Sequence, residues 1–153
     1  MKVIAVAAIS LDGKIAFDEK RQIESSPQDK AYFEKVTREA GTIVTGRRTL
    51  DAMKRPLEGR FNVVQTRQKA LLAKPRTDEV WYTDLPPKEI VAQLKKEGIE
   101  TIANIGGSAI FTLWSDDGLI DEWHLTISPQ FVGEGIPLCA HYEPRKLALL
   151  RSE

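Results

Sequence analysis

The sequence predicts an α/β fold, a mostly parallel central sheet flanked by helices, in one domain over residues 1–153. Three observations carry this expectation. Short apolar, β-branched runs alternate with helical stretches, the pattern that builds parallel βαβ units. The runs Val3 to Ile9 and Thr42 to Thr45 lack polar alternation, as strands buried on both faces do. The chain has a length one hydrophobic core can serve, and no linker, repeat or low-complexity tract divides it.

Val3 to Ile9 is the first buried strand. Ser10-Leu11-Asp12-Gly13-Lys14 turns the chain, and Ile15-Ala16-Phe17 returns it. The segment from Leu11 to Glu24 reads as mobile. A helix begins near Ser26 and stops at Gly41, a residue suited to a helix C-terminus. Thr42-Ile43-Val44-Thr45 is the second strand, and Gly46 turns it into a short helix carrying Arg47 to Leu50. After the loop Arg55 to Gly59, Phe61 to Gln65 and Glu79 to Thr83 are strands. Pro86-Pro87 starts a helix with Ile90, Val91 and Leu94 on its apolar face, closed by Gly98. Thr101 to Ile105 is a strand that runs into Gly106-Gly107-Ser108 and a helix bearing Ile110, Phe111 and Trp114. Asp121 to Val132 reads as a long strand with Trp123, Leu125 and Ile127 inward. Lys146 to Leu150 is expected as a last short strand.

Composition narrows the function classes. Lys plus Arg equals Asp plus Glu at 22 each. No net field therefore draws the chain to nucleic acid or to a membrane. One cysteine, Cys139, excludes an internal disulfide, and with only His124 and His141 no metal site is expected. His124, on the polar side of its strand, is expected to be exposed, and the tryptophans to be core. MKVIAVAAIS lacks an adequate signal-peptide core and cleavage site. No run approaches the ~20 apolar residues of a membrane span. A cytoplasmic monomer or homodimer acting on a small molecule is the expectation.

Ligands of such sheets bind beyond the carboxyl ends of the strands. Three stretches sit there. Gly46-Arg47-Arg48-Thr49 combines two cations, a hydroxyl and free helix N–H groups, either a phosphate cradle or a solvated helix start. Ile105-Gly106-Gly107-Ser108-Ala109 allows close backbone approach to a pyrophosphate, or is only a tight turn. Thr66-Arg67 is a third possible anion contact, or a surface pair. Asp29 poses a separate question. It falls within roughly 60° of Phe33, Val36 and Ala40 on a helical wheel. Ser26 and Pro27 make it part of a helix start. Capping accounts for an acid there, but not for its place on the apolar stripe. A carboxylate so placed can also grip an amidine-like heterocycle by two hydrogen bonds. The isolated helix leaves both readings open.

Several ordered stretches resemble the dihydrofolate reductase superfamily, which includes the pyrimidine reductases of riboflavin biosynthesis. The strongest is SPQDKAYFEKVTREAGTIVTGRRTLDAMKRPLEGRFNVVQTR, residues 26–67, with IGGSAIF at 105–111 and LIDEWHLTISPQFVGEGIPL at 119–138. The resemblance implies a dihydrofolate-reductase-like fold with a shortened C-terminal strand region. Asp29 matches the acid that grips the pterin, and Thr126 the threonine supporting it. Val6, Ala8, Phe33, Met53 and Leu57 match apolar substrate positions, and Arg60 the arginine for the folate glutamate carboxylate. Ala8, Ile15, Gly46, Arg47, Arg48, Thr49, Thr66, Arg67, Gly106, Gly107, Ser108, Ala109 and Ile110 match positions around the cofactor. The basic cluster favours NADPH. The implied activity is NADPH-dependent reduction of 7,8-dihydrofolate. SLDGKIA, residues 10–16, is closer to the riboflavin-type reductases and favours an aminopyrimidine ribosyl phosphate as the alternative substrate. A nucleotide-binding protein without turnover is the third reading. The Pro-Trp pair before the acid is missing, Ser108 replaces a third glycine, and the zinc-bearing deaminase half of many riboflavin reductases does not occur here.

Overall fold

A computed structural model describes residues 1–153. Its elements are β1 (Lys2–Ser10), β2 (Lys14–Ala16), α1 (Pro27–Ala40), β3 (Thr42–Gly46), α2 (Arg47–Met53), β4 (Phe61–Gln65), α3 (Lys69–Leu72), β5 (Val80–Thr83), α4 (Pro87–Lys96), β6 (Thr101–Asn104), α5 (Ser108–Asp116), β7 (Glu122–Ser128) and β8 (Ile136–Pro137). Six strands form one sheet in the order β5-β4-β3-β6-β1-β7. Every pairing in it is parallel. β2 and β8 make a small antiparallel pair outside it.

Alternate residues of β1 divide the core between two faces. Ile4 and Val6 turn toward α1, where they join Val36, Ile43, Ala103 and Ile105. Val3 turns the other way, to Ile90 and Leu94 of α4 and Trp114 of α5. Trp114 is fully buried, and its indole Nε1–H donates to Gln65 Oε1 at 2.6 Å. Full burial of a side chain of this size contributes on the order of 3 kcal/mol.

The helix expected near Ser26 forms for the reasons its sequence suggests. Ser26 Oγ accepts from Asp29 N at 3.1 Å, Pro27 occupies the first turn, and Gly41 closes the helix at φ +71°. Gly41 adopts the left-handed conformation that costs glycine least.

The structure corrects three expectations. Lys146 to Leu150 forms no strand. His141 bonds Asp116 and Arg145 donates to Ser115 O, so the chain follows the end of α5 rather than joining the sheet. β7 stops at Ser128, because Pro129 has no N–H to continue the ladder. It is also an edge strand. On the face where Trp123 packs on Phe111 of α5, Leu125 and Ile127 farther along the strand are exposed instead of inward. The tryptophans belong to the core as expected: Trp114 is fully buried, and Trp81 and Trp123 are half-buried and pack against the core. Finally, the segment after β1 is tied rather than loose. Ala16 bridges Gln22, Phe17 N donates to Arg21 O at 2.9 Å, and Ala16 and Ile23 are buried. Cys139 is buried, as expected of a small apolar side chain, and burial pushes its thiol above the ordinary range.

Candidate functional site

The acid-bearing end of α1 lies against β7. Tyr32 Oη and His124 Nδ1 are 2.7 Å apart, and His124 Nε2 lies 2.9 Å from Glu122 Oε2. Glu122 in turn pairs with Lys2 at 2.6 Å. His124 is therefore half-buried under α1, not exposed as its polar position suggested. Asp29 precedes Tyr32 by nearly one helical turn, and Thr126 follows His124 by two residues on the same strand face. Both therefore lie on the carboxyl-end side of the Tyr32–His124 bond. No hydrogen bond joins Asp29 to Thr126; the Ser25 hydroxyl donates to Asp29 Oδ2 instead. The reciprocal half of a capping box is thus unused, and Asp29 Oδ1 keeps its acceptor capacity. Asp29 is half-buried, as its position on the apolar stripe requires.

The apolar positions assemble on this same face. Phe33, Met53 and Leu57 pack against the cluster that contains Val6. Ala8 lies beside Thr126 in the β1–β7 register and is half-buried. A pocket of about 240 Å³ opens among Glu34, Arg38, Met53, Arg55, Leu57 and Arg60. Arg60, expected to meet a ligand carboxylate, already has protein partners. Its side chain is 3% exposed and pairs with Glu34. It also donates to Thr37 Oγ1 at 3.1 Å and Glu58 O at 2.8 Å.

The expected cofactor positions meet around the Gly106–Gly107 turn, whose peptide bond is cis. Gly106 O accepts from Gly46 N at 2.8 Å and from Thr45 Oγ1 at 2.9 Å. Gly106 N donates to Asn104 Oδ1 at 2.9 Å. These bonds fix the end of β3 against the end of β6. Gly106 has φ +78°, and a Cβ there would stand 2.3 Å from the Phe111 ring. A Cβ on Gly46 would meet Ile110 Cγ1 at 2.9 Å, and one on Gly107 would meet Thr49 Oγ1 at 3.2 Å and Ile15 Cδ1 at 4.0 Å. Ile15, Gly46, Thr49, Gly106, Gly107 and Ile110 therefore share one place, although the sequence scatters them over four elements.

The remaining positions lie at its rim. Ser108 and Ala109 open α5. Arg47 pairs with Asp51 at 2.9 Å and Arg48 with Glu19 at 2.8 Å. Thr66 Oγ1 accepts from Gln68 N at 3.1 Å, and Arg67 is exposed. Such a site fits an anionic nucleotide. Close backbone approach is available at Gly107, and Asn104 Nδ2 is buried without a partner.

Some functional-looking residues escaped the sequence reading. Asp12 accepts from the Ser10 hydroxyl at 2.5 Å, from Gly133 N at 2.7 Å and from Val132 N at 3.1 Å. These bonds, the Ser10 hydroxyl first, lower its carboxyl to about 2. Asp12 thereby fastens the β1–β2 turn to the loop after β7. Its SLDG setting was visible, but its partners lie about 120 positions away. Ser25 adjoined the recognised cap and could have been found from its spacing of four to Asp29. Glu34 offered an i,i+4 pairing with Arg38 but nothing pointing to Arg60.

Comparisons with known proteins place the chain in a family and a fold. The family model described as "Dihydrofolate reductase" matches residues 2–134. A Caenorhabditis elegans protein described as "Putative dihydrofolate reductase" is 34% identical over 113 residues. That match spans 65% of this chain and 57% of the relative, so the chain answers to little more than half of the relative's length. A Shewanella sp. PV-4 structure described as "Putative riboflavin biosynthesis protein" has a TM-score of 0.83 at 24% identity, covering 100% of this chain and 92% of its own. The Thermotoga maritima deaminase/5-amino-6-(5-phosphoribosylamino)uracil reductase has a TM-score of 0.74 at 19% identity, covering 90% and 47%. Enterococcus faecalis dihydrofolate reductase, complexed with NADP(H) and RAB-propyl, has a TM-score of 0.69 at 25% identity, covering 89% and 75%. The last two mark the breadth of the fold, with a dihydrofolate reductase and a deaminase/uracil reductase both superposing on most of this chain. With a family model matching residues 2–134, which hold all six strands of the main sheet, the chain belongs to the dihydrofolate reductase family.

Proposed function

We propose that residues 1–153 form a reductase domain that uses NADPH to reduce the C=N bond of 7,8-dihydrofolate. The observation that carries this reading is Asp29. It is a half-buried carboxylate with one oxygen uncommitted, on the helix face shared with Phe33. Asp29 accepts hydrogen bonds from the amino and ring N–H groups of a pterin and favours ring protonation, with water delivering the proton. Val6, Ala8, Phe33, Met53 and Leu57 supply the apolar walls, and Thr126 lies at the same end of the sheet. Arg47, Arg48, Thr49, Thr66 and Arg67 hold phosphates of the cofactor. Gly46, Gly106, Gly107, Ser108, Ala109 and Ile110 admit its pyrophosphate, with Ile15 and Ala8 along its path. When bound, the reduced nicotinamide supplies the hydride. The segment Leu11 to Glu24, whose Ile15 reaches the glycine turn, would cover the nicotinamide and exclude water from that step.

A ribosylaminopyrimidine phosphate is the second reading. SLDGKIA favours it, and so does the engagement of Arg60 by Glu34, which weakens the case for a folate tail. Purified protein, NADPH and each substrate assayed in parallel separate the two. Oxidation of NADPH with dihydrofolate but not with the pyrimidine phosphate is expected. The reverse pattern transfers the function to the riboflavin-type reaction. Cofactor binding with no turnover of either substrate leaves the non-catalytic reading standing.

A further inference from the structure

We propose that Glu34 is a built-in carboxylate that occupies Arg60 and so deprives a substrate's carboxylate tail of its binding gain, leaving the pocket indifferent to the tail. This inference rests on the reading of the Asp29 face as a heterocycle site. A guanidinium is always charged, so a buried one needs compensation. Arg60 is such a group, with its side chain 3% exposed, and Glu34 is its sole anionic partner. The remaining contacts are the neutral oxygens of Thr37, Glu58 and the Glu34 backbone. Arg60 Nε has no acceptor at all.

Glu34 differs from Arg60 in being able to leave. Its side chain is 49% exposed, and its second oxygen accepts from Arg38 Nε at 2.5 Å on the surface of the same helix. Rotation of Glu34 into water would therefore strand Arg60, not Glu34. Hydrogen bonds from Arg60 and Arg38 hold the Glu34 carboxyl below its ordinary range, so it remains ionised at neutral pH. Arg60 and Glu34 both line the same pocket, together with Arg38 and Arg55.

An incoming carboxylate would have to exchange with Glu34 and then tolerate it as a neighbouring like charge. The exchange trades one charge-assisted bond for another and gains little. A substrate with a neutral tail, or none, keeps the heterocycle contacts and avoids the exchange. Glu34 would then set specificity without touching the reacting atoms.

The test compares 7,8-dihydrofolate with 7,8-dihydro-6-methylpterin, which has no tail, in the wild type and in Glu34→Gln. Wild-type kcat/KM values for the two should agree within about threefold. Glu34→Gln should raise the ratio in favour of dihydrofolate about tenfold, through KM and not kcat. A wild type that already prefers dihydrofolate tenfold overturns the proposal, whether or not the variant folds. A folded variant with an unchanged ratio also overturns it. A binding arm separates this failure from failure of the reductase reading. Titration with p-aminobenzoyl-L-glutamate, followed by calorimetry, should show about tenfold tighter binding to Glu34→Gln than to the wild type. If neither substrate turns over, the reductase reading falls and the binding arm alone decides the role of Glu34; equal binding then refutes it.

Discussion

Asp29 and the glycines of the β6–α5 turn are the residues on which the account depends most. Asp29→Asn keeps the backbone N–H that Ser26 caps, so the fold should be nearly unaffected. It removes the negative charge offered to the heterocycle. We expect kcat/KM for dihydrofolate to fall at least about tenfold, equivalent to about 1.4 kcal/mol, with cofactor affinity unchanged. Steady-state kinetics and a cofactor titration check the two halves; unchanged turnover would reduce Asp29 to a helix cap. Gly107→Ala should act on the other half. Its Cβ would stand 3.2 Å from Thr49 Oγ1, a contact that needs only a small adjustment. Cofactor affinity should therefore drop while the melting temperature stays close to that of the wild type. Gly106→Ala should damage the fold itself, because its Cβ would enter the Phe111 ring at positive φ.

At the scale of elements, α1 and the Asp12 turn give separate predictions. Ser26→Ala removes the α1 cap and should cost about 0.5–2 kcal/mol in denaturant unfolding. Asp12 contributes to the acid limb of stability, beside Asp18, Glu34, Glu97 and Glu122, whose carboxyls hydrogen bonds also lower. Its folded-state carboxyl titrates at about 2, below the ordinary 3.8. Its stabilising contribution is therefore complete above the ordinary value and is lost as pH falls toward the folded one. Asp12→Asn should flatten that part of the curve, measured as melting temperature against pH between about 4 and 2. A wild-type slope retained in the variant would place the acid sensitivity elsewhere. The elements themselves were largely legible. Ser26, Pro27 and Gly41 mark both ends of α1 by local chemistry, and the β-branched runs mark β1, β3 and β4. The strand predicted at Lys146 to Leu150 failed because an apolar run records a preference and not a partner. Arg145 and His141 anchor the preceding chain on α5. β7 misled for a related reason, since alternation does not reveal whether a strand lies at an edge.

The whole molecule brings together what the sequence keeps apart. Asp29, Phe33 and the glycine turn were found from local pattern or family resemblance, and the structure places them at the carboxyl ends of one parallel sheet. Long-range pairings stayed hidden: Glu34 with Arg60, Tyr32 with His124, and Asp12 with the loop after β7. Each depends on how crossovers fold back over the sheet, which no window of sequence contains. At this scale cofactor binding should raise the stability of the entire fold. NADPH at a hundred times its dissociation constant should add about 2.7 kcal/mol, read as a thermal shift. The most direct test of the central claim is the loss of NADPH absorbance with purified protein and 7,8-dihydrofolate, run beside the ribosylaminopyrimidine phosphate. Dihydrofolate-dependent oxidation that Asp29→Asn strongly reduces is the expected result. Oxidation only with the pyrimidine phosphate, or dihydrofolate turnover indifferent to Asp29, would contradict it.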